Sequence, residues 1–213
     1  MRLDHLSYAA GPEGLASCVQ RLGSHLGAAF SDGGLHPSFG TRNFVLALDG
    51  GCYLEVVEAL DHPAADTAPF GRAVRARAEA GGGWLGWVIR VEDLAAVESR
   101  LGRSAVPGRR RRPDGYDLRW QQIGVLDLVA DPQLPFFVKW LSDEAHHPSA
   151  GGSPVRLARL QIAGSARTVE DYLGAAAAQP LDGIAVDWLA PAPEDSGIVA
   201  AVFDTALGSV RID

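Results

Sequence analysis

"RLDHLSYAA" (residues 2–10) and "YLEVVEAL" (residues 53–60) decide how the chain folds. Both read as strands whose side chains alternate between two faces. In the first, Leu3, His5 and Ser7 fall on one face and Leu6 and Tyr8 on the other. In the second, Tyr53, Glu55 and Val57 share a face opposite Leu54 and Val56. His5 and Glu55 are therefore each the polar member of a largely apolar row. A lone strand histidine is usually a satisfied, partly buried residue, and a lone strand glutamate usually faces solvent. The pair gains meaning only if one fold sets both on one concave surface.

Working outward, "GPEGLASCVQRLGSHLG" (11–27) predicts a helix with Leu15, Val19, Leu22 and Leu26 on one face and Gly27 as its stop. A glycine-rich stretch, "AAFSDGGLHPSFG" (28–40), precedes "TRNFVLALDG" (41–50) and "CYLEVVEAL" (52–60). These two strands join at Asp49-Gly50-Gly51, a turn that needs positive φ. The order is β-α-β-β-β. After an alanine-rich bridge with a helix at 70–83, the order returns. "WLGWVIRVE" (84–92) is a strand and "DLAAVESRLG" (93–102) a helix with Asp93 as N-cap. "YDLRWQQIGVL" (116–126) and "PFFVKWL" (135–141) supply later strands. A linker, "DEAHHPSAGGSP" (143–154), reads as solvent-exposed, His146 and His147 included. A third, partial copy follows, with a final strand pair turning at Leu207-Gly208. The expected fold class is α+β, with modules at 1–60 and 84–145 forming one domain over 1–145, and a partial βαβ-type module at 154–213 packed on it.

Composition narrows the function. With 213 residues, 47% apolar and 21% charged, the chain is globular and large enough for a real core. A net charge of −7 argues against a nucleic-acid or membrane footprint. No apolar run reaches the roughly 18 residues that span a bilayer, and the N-terminal stretch lacks a signal-peptide core. Cys18 and Cys52 read as small buried hydrophobes. The expected location is the cytoplasm. The expected partner is a small molecule, with no nucleic acid and no membrane, and a homodimer stays open. Walker, dinucleotide and nucleophile-elbow motifs are missing.

"LDHLSYAA", "GLHPSFGTRN", "YLEVVEAL" and "LPFFVKW" together resemble the glyoxalase-like group of the vicinal oxygen chelate superfamily, which includes glyoxalase I, extradiol dioxygenases and bleomycin-binding proteins. The resemblance implies paired βαβββ modules curved around one cavity. In metal-dependent members each module gives one ligand from its first strand and one from its last. Carried over, His5 and Glu55 match the first module's ligands, while Gly86 and Lys139 stand at the second module's positions, or Val138 if the strand is shifted by one. The remnant implies weak or no binding of a divalent metal, and no other cofactor is identified.

Lys139 is the chain's single lysine. Either it faces Glu55 across the cavity, or it snorkels outward from a sheet edge. The resemblance makes "GLHPSFGTRN" the cavity lip, with His36 a candidate acid/base beside His5 and Glu55. Against this stands a structural loop whose His36 and Asn43 bond the backbone. Asn43, Tyr53, Trp84, Phe137 and Lys139 are the expected substrate-binding residues. The run Arg109–Arg112 reads as a solvated hairpin tip, with recognition of an anion as the alternative. Two functions compete: a lyase- or isomerase-like (or dioxygenase-like) enzyme acting on a small carbonyl, diol or aromatic compound, and a bleomycin-resistance-type binding protein without chemistry. A vestigial pocket is a third reading.

Overall fold

The computed structural model describes residues 1–190 and 196–213. The first module is β1 (Leu3–Ala9), α1 (Gly14–Leu26), β2 (Ser31–His36), β3 (Thr41–Ala47) and β4 (Tyr53–Ala59). Two helices, α2 (Pro63–Thr67) and α3 (Pro69–Glu79), lead into the second. That module is β5 (Gly83–Arg90), α4 (Ala95–Leu101), β6 (Val106–Arg111), β7 (Asp117–Ile123), α5 (Val125–Ala130) and β8 (Phe136–Trp140). The third comprises β9 (Arg156–Ala163), α6 (Ala166–Leu173), β10 (Ala185–Leu189), β11 (Gly197–Thr205) and β12 (Gly208–Ile212). The strand expected over 116–126 stops at Ile123, because Gly124 at positive φ turns the chain into α5.

Eight strands close into a barrel in the order β1-β4-β3-β2-β6-β7-β8-β5, and the third module forms a separate sheet, β10-β9-β11-β12. The fold is α+β: two βαβββ modules sharing one barrel, with an incomplete third module against it. Within each module the first strand runs parallel to the last, β1 with β4 and β5 with β8. Closure leaves no free barrel edge, so every strand has a partner on both sides.

Two hydrophobic regions follow from the alternation. Inside the barrel, Ala9, Val57, Val88, Trp120, Phe136 and Val138 pack together, and Phe70 and Val74 of α3 with Leu128 of α5 join them. Outside, Leu6, Leu22, Leu54, Trp87, Phe137 and Phe203 belong to a second cluster that merges the barrel exterior with α1 and the third sheet. Cys18 and Cys52 are both buried and free. No helix of the described residues is long and apolar enough to cross a membrane.

The register exposes a pseudo-twofold relation. In β1 and β4, His5 lies opposite Tyr53 and Ser7 opposite Glu55. In β5 and β8, Val88 lies opposite Phe136 and Arg90 opposite Val138. Val88 and Val138 are therefore the second module's counterparts of His5 and Glu55, not Gly86 and Lys139. On the neighbouring strands the same relation pairs Asn43 with Trp120 and His36 with Arg110.

Glycines make room for two of these side chains. A Cβ on Gly108 would lie 2.3 Å from the Trp120 indole, and one on Gly33 would lie 2.1 Å from Asn43 Oδ1. Gly108→Ala should therefore lower stability by about 1–3 kcal/mol through overpacking. Gly151→Ala, where a Cβ meets nothing within 4 Å, should leave the melting temperature unchanged; thermal denaturation of both variants checks the contrast.

Candidate functional site

The site begins with a bulge. Between Leu3 and His5 the register of β1 against β5 slips by one residue, so Leu3 turns to the outer cluster and Asp4 is drawn inward beside His5. Leu3 and His5 therefore do not share a face, contrary to simple alternation. Asp4 is 0% exposed and its carboxylate receives three contacts. His5 Nδ1 lies 2.6 Å from Oδ1, Trp140 Nε1 donates to Oδ2 at 2.8 Å, and His147 Nε2 lies 3.2 Å from Oδ2. Burial pushes the Asp4 carboxyl up, but His147 and His5 outweigh it and hold the group well below the usual carboxylate range.

An ionised Asp4 can only accept, which places the His5 proton on Nδ1 and leaves Nε2 with its lone pair toward the cavity. The backbone N–H of Ser149 donates to His147 Nδ1 at 3.2 Å, so His147 carries its proton on Nε2 and donates to Asp4.

Glu55 faces His5 Nε2 at 3.8 Å and His36 Nε2 at 4.0 Å. Ser7 Oγ donates to its Oε2 at 2.7 Å, and Asn43 Nδ2 donates to its Oε1 at 2.5 Å. Burial pushes its carboxyl up, yet His5, His36 and these two hydrogen bonds together hold it below the ordinary value. His36, bonded through Nδ1 to Thr41 Oγ1 at 2.9 Å, is pulled down to about 4, mainly by burial. It is a neutral imidazole at neutral pH. Tyr53 stacks on His5 with centroids 4.5 Å apart.

The space these groups enclose is narrow, about 30 Å³, and Phe39, Phe70, Trp120, Phe136 and Trp140 form its aromatic walls. A wider cleft of about 630 Å³ opens beside it, bordered by the 145–154 segment.

Of the residues expected from sequence, the structure brings His5, Glu55, His36, Asn43 and Tyr53 together. It places Trp84, Phe137 and Lys139 elsewhere. A bulge at Leu85 reverses the alternation of β5, and Trp84 packs on Tyr8 outside the barrel, its indole N–H donating to the Ile212 carbonyl at 3.3 Å. In β8 the inward row is Phe136, Val138 and Trp140, so Phe137 joins the outer cluster against Tyr172. Half-buried Lys139 shares that outward face, opposite Gln121, and cannot pair with Glu55. Both rows of "PFFVKW" are largely apolar, which is why alternation alone could not fix the frame. At Gly86, a Cβ would lie 2.7 Å from Leu128, leaving no room for a histidine.

The exposed reading of two further segments is also corrected. His147 is 4% exposed and completes the partners of Asp4, while His146 stacks on Tyr116. The arginine run is strand β6 rather than a hairpin tip, and its alternation turns Arg110 into the barrel at 3% exposure while Arg109 and Arg111 face solvent. Asp4, Ser7, Arg110 and His147 are thus site residues beyond the sequence reading. Alternation places Ser7 beside His5 in that row; no local pattern marks Asp4 or His147.

A closed barrel of two βαβββ modules with a polar cluster on the first and last strands of one module defines a glyoxalase-like protein of the vicinal oxygen chelate superfamily. The sequence profile described as "Glyoxalase-like domain" matches residues 3–176, and the chain belongs to that family. No curated protein matches it. A hypothetical protein from Staphylococcus aureus has the same fold throughout, with a TM-score of 0.68 at 12% identity over 100% of this chain and 98% of its own. Methylmalonyl-CoA epimerase from Mycobacterium tuberculosis aligns more loosely, with a TM-score of 0.43 at 17% identity over 65% of this chain and 86% of that one. A variant of the Streptomyces coelicolor methylmalonyl-CoA epimerase gives 0.42 at 14% over 66% and 96%.

Two outcomes follow for stability. His147→Leu leaves the buried Asp4 with one donor fewer and should cost about 1–3 kcal/mol at neutral pH in urea denaturation. The pH dependence has a definite sign. Folded His36 titrates near 4 rather than 6.5, so the unfolded chain takes up its proton first as pH falls. Stability drains between pH 6.5 and 4 by up to about 3 kcal/mol. The contribution of Asp4 and Glu55, present above the ordinary carboxylate range, is lost at still lower pH as they protonate. His36→Gln should flatten the first window and spare the second, as denaturation at pH 7, 5.5 and 4.5 would show.

Proposed function

We propose that the protein is an acid–base catalyst acting on a small carbonyl or diol compound with an apolar or aromatic body, and that it works differently from a conventional metal-dependent glyoxalase I. The Asp4–His5 pair aimed at Glu55 carries this reading. His5 presents the Nε2 lone pair to the cavity, Asp4 fixes the ring through Nδ1, and Glu55 stands 3.8 Å from Nε2 on the other side. His5 takes a proton from the carbon next to a carbonyl, the C–H electrons move toward the carbonyl oxygen, and the imidazolium returns the proton. The net result is exchange or isomerisation at that carbon. The aromatic walls exclude water from the intermediate.

The donor set argues against the family's four-ligand metal centre. His5 and Glu55 offer two ligands, both oxygens of Glu55 already accept hydrogen bonds, and Val88 and Val138 offer none. Among the described residues no three His, Cys, Asp or Glu side chains are grouped to hold a metal ion. No step of this mechanism passes through one.

The second reading, binding without turnover, draws on the narrowness of the cavity. The test is proton exchange in D₂O, followed by NMR, with hydroxyacetone, dihydroxyacetone and 2-hydroxyacetophenone. Deuterium should enter the carbon beside the carbonyl, and His5→Gln should slow this roughly 10²–10⁴-fold, with Glu55→Gln impaired as well. Binding without exchange in the wild-type protein would favour the sequestering role instead.

A further inference from the structure

Arg110 has no role in the proton transfer just described, and its surroundings are unusual. It stands inside the barrel at 3% exposure, opposite Leu118 on β7, which offers it no acceptor. Its Nε is buried without a hydrogen-bond partner among the described residues. Tyr53, Glu55 and Asp4 act on it only through space. A guanidinium carries five donors in a fixed fork, and leaving them unpaired in a closed space is strongly unfavourable. Arg110 lines both the narrow cavity and the wide cleft, so it stands where the two meet.

A second buried polar atom lacks a partner close by. Asn43 Oδ1 is unsatisfied, since the amide nitrogen is committed to Glu55. Gly33 explains how the two come near each other: the position its Cβ would take lies 2.1 Å from Asn43 Oδ1 and 3.2 Å from Arg110 Nη1. Gly33, which borders the wide cleft, thus leaves room beside its backbone for the Arg110 fork, while Asn43 Oδ1 is packed against that backbone and lines neither space.

We propose that Arg110 is the recognition site for a carboxylate group on the substrate, held on the guanidinium fork where the two spaces meet. This rests on the acid–base reading and narrows its substrate class. A carboxylate matches the guanidinium geometry in a bidentate pair. A single guanidinium beside the ionised Asp4 and Glu55 suits a monoanion better than a doubly charged phosphate. The carbon next to the carboxylate would then lie toward His5 and Glu55, with its apolar substituent against the aromatic walls.

The probes are mandelate and mandelamide, which differ in the charge of one group, titrated calorimetrically into the full-length protein. Mandelate should bind at least tenfold more tightly than mandelamide. Arg110→Gln should bring mandelate and mandelamide within twofold of each other, while Arg110→Lys should retain part of the preference. Arg109→Gln, on the solvent face of the same strand, should leave it intact. His5→Gln should still prefer mandelate, which separates recognition from chemistry. Equal binding of mandelate and mandelamide, failure of both to bind, or an unchanged preference in Arg110→Gln would each overturn the assignment. If the wild-type protein exchanges hydroxyacetone protons but shows no preference for the acid, this assignment falls and the acid–base reading stands.

Discussion

A single buried carboxylate ties the site to the fold. Asp4 accepts from three parts of the chain: the histidine beside it, the indole of Trp140 at the end of β8, and His147 from the segment that leaves the barrel. The charge is tolerable in that setting only because all three donors are present together. The bulge that turns Asp4 inward, the closure of β8 next to β5, and the path of the chain after Trp140 must therefore all be correct at once. The orientation of His5 follows from that agreement.

The two modules share a backbone plan and divide the labour. The first supplies His5, Ser7, His36, Asn43 and Glu55. The second answers at the equivalent positions with Val88, Trp120 and Val138, and with Arg110 in place of His36. One wall of the barrel carries a cluster of ionisable and hydrogen-bonding groups, and the other is largely apolar and aromatic with Arg110 and Gln122 as its polar members. A symmetric barrel has become an asymmetric vessel by substitution at matching positions, with Gly33 and Gly108 clearing space on either side.

Much of this was legible in the sequence, and the failures have physical causes. The element order and the convergence of His5 with Glu55 follow from the period of two and from the repeated β-α-β-β-β pattern. The frame was lost where a strand is apolar on both faces, as at Phe136–Trp140, or where a bulge shifts it, as at Leu85 and Asp4. The arginine run misled because charge density suggests solvent, whereas alternation hides every second side chain, and Arg110 is the hidden one. His147 carries no periodic signal: its place depends on a loop folding back across the barrel, a contact 143 residues apart in sequence from Asp4.

That returning loop has a consequence for how the protein is divided. The segment after Trp140 looks like a spacer between a barrel and an appended sheet, and a boundary drawn near residue 145 would seem harmless. Yet its His147 holds Asp4, and a few residues later Asp49 N–H donates to the Val155 carbonyl as the chain enters the third module. The appended sheet thereby fixes where the loop must end, and the loop fixes the ring that faces the cavity. In modular terms the C-terminal unit is not an independent cassette. A boundary cut before residue 147 would remove a donor from Asp4, and one cut before residue 155 would release the loop that carries it.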